Sequence, residues 1–185
     1  NNIPFDIKME TLLIGIDFNV MNCNAVVAVK DGDKLFVIDE ITKQNDTDAL
    51  AQEIKRRYPT NRILVYPDAS GAARSTINAS KTDIAILEGY GFSSMALRSN
   101  PPIKDRVQTL QALLENSKGW VRLAIHASCR RLIECLELQS YDEKSGDPDK
   151  QNGYDHLNDA LGYLVYREFN IIHARAGRRT GIRIY

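Results

Sequence analysis

Residues 12–16, Leu-Leu-Ile-Gly-Ile, form an uninterrupted apolar run that stops at Asp17. A short run with no polar face reads as a strand buried on both sides at the centre of a sheet. Asp17 falls where that strand leaves the core. Two β-branched runs follow, Ala25 to Lys30 and Lys34 to Glu40, separated by Asp31-Gly32-Asp33, and Asp-Gly between such runs is a strong hairpin signal. The first forty residues therefore predict a three-stranded antiparallel meander. Asn45, Asp46 and Thr47 are candidate helix caps, Leu50, Ile54 and Tyr58 recur at helical spacing, and Pro59 marks the stop. Arg62 to Tyr66 is a second buried strand running into Pro67-Asp68. A strand reached through a helical crossover is expected to lie parallel to the strand it joins. If it lies beside residues 12–16, Asp17 and Asp68 emerge at one sheet edge.

The remainder continues an α/β pattern. A loop through Asn78, a short helix near Asp83 to Glu88 and a strand near Phe92 to Arg98 come first. Asn100-Pro101-Pro102 reads as a capped helix start, followed by an apolar stripe of Ile103, Val107, Leu110 and Leu114. Val121 to Ile125 is a short extended segment, and Ser128 is a candidate cap for a helix carrying Leu132, Ile133 and Leu136. After the polar stretch 142–153, Leu157, Ala160, Leu161, Leu164 and Val165 define one face of a helix over about 155–169. Residues 170–185, with Arg175, Arg178, Arg179 and Arg183, read as a flexible basic tail of a single domain spanning 1–185.

Several function classes drop out at this point. No apolar run approaches the roughly 20 residues that span a bilayer, and no signal peptide opens the chain. Cys23, Cys129 and Cys135 form no CxxC pair, which argues against a zinc site and suits a reducing cytoplasm. Phosphate loops, GxSxG, HExxH and GxGxxG are absent. The chain opens Asn1-Asn2-Ile3-Pro4 without an initiator methionine, so a piece of a longer polypeptide is expected.

The chemistry concentrates in carboxylates. Ligands in sheets of this kind bind beyond the strand ends, which raises Asp17 and Asp68 above ordinary turn residues. In Tyr154-Asp155-His156-Leu157-Asn158-Asp159-Ala160, Asp155 and Asp159 share a helix face, where two like charges call for a cation. The bland alternative makes Asp155 a helix cap and leaves Asp159 solvated. Three carboxylates would form an oxygen-rich cage suited to Mg2+ or Mn2+, and two such ions about 4 Å apart can drive phosphodiester cleavage. His156 either orients water or receives a proton, or simply opens a helix. His126 and His173 read as ordinary residues, and Ser70 as a local cap.

The order of parts is similar to the ribonuclease H-like fold: a mixed α/β central sheet, in which a three-stranded antiparallel meander is extended by parallel strands, with flanking helices. Gly15-Ile16-Asp17-Phe18-Asn19, Tyr66-Pro67-Asp68-Ala69-Ser70-Gly71, Asn100-Pro101-Pro102-Ile103-Lys104-Asp105-Arg106 and Asp155-His156-Leu157-Asn158-Asp159-Ala160-Leu161-Gly162-Tyr163 resemble the C-terminal nuclease domain of the large terminase subunit of tailed bacteriophages. That resemblance covers nearly the whole chain. It implies a metal-dependent endonuclease that cuts concatemeric double-stranded viral DNA in the cytoplasm of the infected host; the residues themselves show no aromatic interleaving or groove-reading motif, so weak sequence preference is expected. It maps the metal ligands to Asp17, Asp68 and Asp159, with Asp155 and His156 beside them. Either Asp155 or Asp159 can be the third ligand; small Ala160 and Gly162 favour Asp159. Implied partners are an N-terminal packaging ATPase domain absent from this chain, the small terminase subunit and the portal protein. Lys104, Arg106, Arg130 and Arg131 are candidate phosphate contacts. With 24 basic against 24 acidic residues, the isolated domain is expected to bind DNA feebly. A junction resolvase or transposase core, and a non-catalytic docking domain, are the alternatives.

Overall fold

The computed structural model describes residues 5–19, 21–72, 82–142, 148–149 and 152–169; the loop through Asn78 and the basic tail lie outside them. Six strands, β1 (Leu12–Asp17), β2 (Cys23–Asp31), β3 (Lys34–Gln44), β4 (Ile63–Pro67), β5 (Ser93–Ser94) and β6 (Leu123–Ile125), form one sheet in the order β5-β4-β1-β2-β3-β6. β1, β2 and β3 pair antiparallel, as the Asp-Gly hairpin predicts, and β4 lies parallel to β1. β5 and β6 extend the two edges in parallel. The helices are α1 (Thr47–Arg57), α2 (Asp83–Gly89), α3 (Ile103–Leu114), α4 (Arg130–Leu138) and α5 (Asp155–Phe169). No helix among the described residues is long and apolar enough to cross a membrane.

The alternation of β1 divides the core into two layers. Leu12, Ile14 and Ile16 face Leu50 and Ile54 of α1 and Leu87 of α2, while Leu13 faces the layer containing α3, α4 and α5. Successive strand side chains point to opposite faces, so Gly15 and Asp17 share the α5 side with Leu13. A Cβ on Gly15 would overlap the Ala160 carbonyl oxygen and lie 2.8 Å from its carbon. The bare glycine is what lets α5 lie directly on β1, and this contact brings the acids of α5 to the end of β1.

Three local readings need correction. The strand expected over 92–98 shrinks to Ser93–Ser94, because only two residues find pairing partners on β4. Asn100 does not cap α3, which starts at Ile103 after Pro102 with no side-chain cap. Nor does Ser128 cap α4: its hydroxyl lies 2.7 Å from His126 Nδ1. The carboxylate of Glu40 in β3 takes over, its Oε1 accepting from the Arg131 amide at 3.0 Å and its Oε2 from the Leu132 amide at 2.7 Å. A full negative charge there answers both the free amides and the positive end of the helix. By contrast Asp46 caps α1 as expected, accepting from the Ala49 amide at 2.8 Å.

Candidate metal centre

Three elements deliver acids to one sheet edge. Asp17 is the last residue of β1, on its α5 face. Asp68 follows β4 directly, and its amide donates to the Ile16 carbonyl at 3.1 Å, so sheet pairing continues up to the two carboxylates. The first turns of α5 supply Asp155, His156 and Asp159.

Each side chain is held. Asp17, 5% exposed, has its Oδ2 2.8 Å from the Asn19 amide nitrogen and 3.1 Å from His156 Nδ1. Burial pushes its carboxyl above the usual range; the bond from His156 works against this, and the nearby charges of Asp159 and Asp68 add to it. Asp17 therefore sits in the field of the other two acids. His156 in turn is held above its ordinary value, chiefly by its bond to Asp17 and further by Asp155 and Asp159. Asp155 is buried, its Oδ1 without a hydrogen-bond partner and 3.9 Å from His156 Nδ1.

Asp68 Oδ1 accepts from the Ser70 amide at 2.7 Å and from the Asn100 side chain at 2.6 Å, and Asn100 Oδ1 accepts from the Ala69 amide at 2.8 Å. So the Asn-Pro-Pro segment braces the Asp68 turn, and the local cap is the Asp68 carboxylate on the Ser70 amide. Asn100→Ala should cost about 1 kcal/mol and lower Tm by about 2–4 °C. Exchange of the Ala69 amide should quicken; unchanged exchange would mean the brace carries nothing.

Arg106, expected among the phosphate contacts, is instead turned inward. Its side chain is 6% exposed and its Nη1 lies 2.7 Å from Asp159 Oδ1, with its guanidinium 4.4 Å from the centre of the Tyr163 ring. The buried face of α3 is Arg106, Thr109, Leu110 and Leu113, one residue round from the expected stripe, and Leu114 is left exposed. Lys104 and Arg130 do face solvent. Arg131 is partly covered, pairing with Glu134 at 2.7 Å and lying over the Tyr154 ring.

The donor set at this edge is carboxylate oxygen with one imidazole, which suits a hard divalent cation. Among the described residues, no three His, Cys, Asp or Glu side chains stand close enough to enclose one ion as they are.

The sequence signature of the Terminase RNaseH-like domain matches residues 14–168. The chain belongs to that family. Within terminase structures, it is similar to the large terminase of the thermophilic bacteriophage D6E, at 17% identity and a TM-score of 0.67, covering 90% of this chain and 41% of that one. The P22 large terminase nuclease domain matches at 18% identity and a TM-score of 0.66, covering 89% of this chain and 86% of that one. The large terminase nuclease domain of bacteriophage SPP1 with bound Mn matches at 18% and 0.57, covering 86% and 87%. The chain thus spans about two-fifths of the D6E large terminase. These likenesses identify the ribonuclease H-like fold of the terminase family. No curated protein matches the chain.

Proposed function

We propose that this terminase-family domain is a divalent-metal-dependent endonuclease that cuts concatemeric double-stranded DNA during phage genome packaging. The observation that carries this reading is the convergence of Asp17, Asp68 and Asp159 from β1, the end of β4 and α5, with Asp17 buried among like charges. Similar carboxylates brought together repel, and a divalent cation is the usual remedy. The SPP1 nuclease domain with bound Mn supports the same choice.

In this reading Asp17, Asp68 and Asp159 hold the ions. Asp159 is preferred to Asp155 because its charge acts directly on Asp17. When bound, Mg2+ or Mn2+ supplies a nucleophilic water at neutral pH and offsets charge on the departing oxygen. The protein's part is position and protons. Asn19, bonded to Asp17 and 2.9 Å from His156 Nδ1, fixes the Asp17 carboxylate and the imidazole together. His156, biased towards its protonated form, holds a proton beside Asp17 and can exchange it with water at the scissile bond. Asn100 keeps Asp68 in place. Lys104 and Arg130, both exposed, supply phosphate contacts without base readout, which gives weak sequence preference and strong salt dependence. An ATPase domain outside this chain, the small terminase subunit and the portal are the proposed partners, and the ATPase brings this neutral domain to DNA.

Plasmid DNA incubated with the folded chain should be nicked or linearised in Mg2+ or Mn2+, and left intact in EDTA. Asp68→Ala should slow cutting at least about a hundredfold, equivalent to several kcal/mol of lost transition-state stabilisation. Cleavage that survives the substitution, or a folded chain that cuts with neither metal, would reject the nuclease reading in favour of a docking domain.

A further inference from the structure

Arg106 is a buried cation at the acid cluster that the proposed chemistry leaves without a task. It reaches Asp159 from α3, 53 residues earlier in the chain. Neither partner is solvated in the ordinary way, the side chains being 6% and 17% exposed. The guanidinium lies on the face of Tyr163. Its Nη1, Cβ and Cδ lie 3.5–3.7 Å from where a Cβ on Gly162 would sit, so the side chain lies along α5 at that glycine. An arginine stays charged at any pH a protein meets, unlike histidine or a buried lysine. Removing it from water is costly, and a buried ion pair often adds no more stability than apolar residues of equal size. The cost is not fully recovered here either, since Arg106 Nε is buried without a hydrogen-bond partner. Stability alone does not account for a cation at this position.

We propose that Arg106 is a tethered counter-cation of the acid cluster: a positioning residue that holds Asp159 while no divalent ion is bound, and that weakens the hold of the cluster on such an ion. This rests on the metal reading above. With Asp17, Asp68, Asp155 and Asp159 gathered at one edge, the cluster carries several negative charges. One fixed positive charge on Asp159 lets the apo chain keep its acids together. The same charge stands near any incoming cation and opposes it, because Coulomb repulsion at this range is poorly screened in a partly buried site. Arg106 lies against Tyr163 and Gly162 and is bonded to Asp159 Oδ1, and that contact sets which carboxylate oxygen remains for metal.

The decisive comparison is Mn2+ titration calorimetry and thermal melting on EDTA-stripped wild-type chain, Arg106→Gln and Arg106→Lys. Arg106→Gln should melt about 5–10 °C below wild type in EDTA, because a largely buried carboxylate has lost the cation beside it. It should also bind Mn2+ about tenfold more tightly, and saturating Mn2+ should recover most of the lost melting temperature. Arg106→Lys, which keeps the charge but not the fork, should stay within about twofold of wild-type affinity. A residue that merely filled space would not tighten metal binding when removed. If wild type binds Mn2+ and Arg106→Gln binds it equally or more weakly, the counter-cation assignment fails and the metal reading stands. If wild type binds no Mn2+, both fail. Should Arg106→Gln be unfolded in EDTA, refolding on Mn2+ addition supports the assignment, and continued unfolding overturns it.

Discussion

Gly15→Ala should destabilise the chain by about 4 kcal/mol or more and lower its Tm by about 10 °C, a large effect for one added methyl group. The added Cβ would overlap the Ala160 carbonyl oxygen, stand 2.8 Å from the carbonyl carbon and meet Leu164 Cβ at 3.3 Å. These first two atoms are helix backbone, which cannot rotate out of the way as the tip of a side chain can. Relief requires α5 to move off β1, and α5 is packed across β1, β2 and β4 and against α3 and α4. Leu157, Leu161 and Leu164, all buried, would be pulled partly out of the core with it. The functional consequence follows from which helix moves. His156 and Asp159 ride on α5, while Asp17 and Asp68 belong to the sheet, so a shift of about 1 Å separates the two halves of the site and can cost about a hundredfold in cleavage. Gly89→Ala is the control: a Cβ there meets nothing within 4 Å, and its Tm should stay near wild type. A Gly15→Ala chain that melts like wild type would show that the helix is not seated on the strand as described.

That contact also marks where sequence reasoning reaches and where it stops. The meander and the parallel placement of β4 were readable because their signals are local: an apolar run, an Asp-Gly turn, and a crossover whose hand and direction are constrained. Once β4 lies beside β1, the meeting of Asp17 and Asp68 follows from register alone, Ile16 standing opposite Pro67. The partners of Asn100, Arg106 and Glu40 were not readable, since each is chosen by tertiary packing. Asn before Pro-Pro is a reasonable cap by local rules, yet Asp68, 32 residues away, offers it a charged acceptor. Glu40 sits at a strand position with no local sign that a helix start some 90 residues on would need it. The inward turn of Arg106 is hidden for a different reason. Charged side chains default to solvent, and an apolar stripe through Ile103, Val107 and Leu114 fits that default. The spacing of Arg106, Leu110 and Leu113 fits a helix face equally well, and it is the face that is buried. A buried arginine needs a carboxylate, and Asp159 supplies one.

Asp17→Asn should remove cleavage by about a thousandfold, the equivalent of roughly 4 kcal/mol of charge stabilisation at the scissile bond, and yet make the metal-free chain more stable at alkaline pH. The two effects share one cause. Asp17 is held above the ordinary carboxyl range, first by burial and then by Asp159 and Asp68, against the lowering bond from His156. A carboxyl whose folded pKa is raised keeps its proton longer in the native state than in the unfolded chain, so stability falls as pH climbs from the unfolded value through the folded one. His156 adds a slope of the same sign. Its folded pKa is raised above 6.5, first by the bond to Asp17, so its contribution is present in acid and lost as pH rises through the folded value. Once pH has risen past the raised values of both groups the imidazole is neutral, and what remains in wild type is the cost of a buried, repelled carboxylate. The substituted amide carries no charge and keeps an oxygen to accept from Asn19. Melted in EDTA at pH 8, Asp17→Asn should therefore exceed wild type by a few degrees. Towards acid, as the Asp17 carboxyl takes up its proton or pairs with a charged His156, the advantage should shrink and then vanish or reverse. A variant that melts lower than wild type at pH 8 would mean that the charge of Asp17 is already compensated in the apo chain, and the case for a cation at this edge would lose its electrostatic footing.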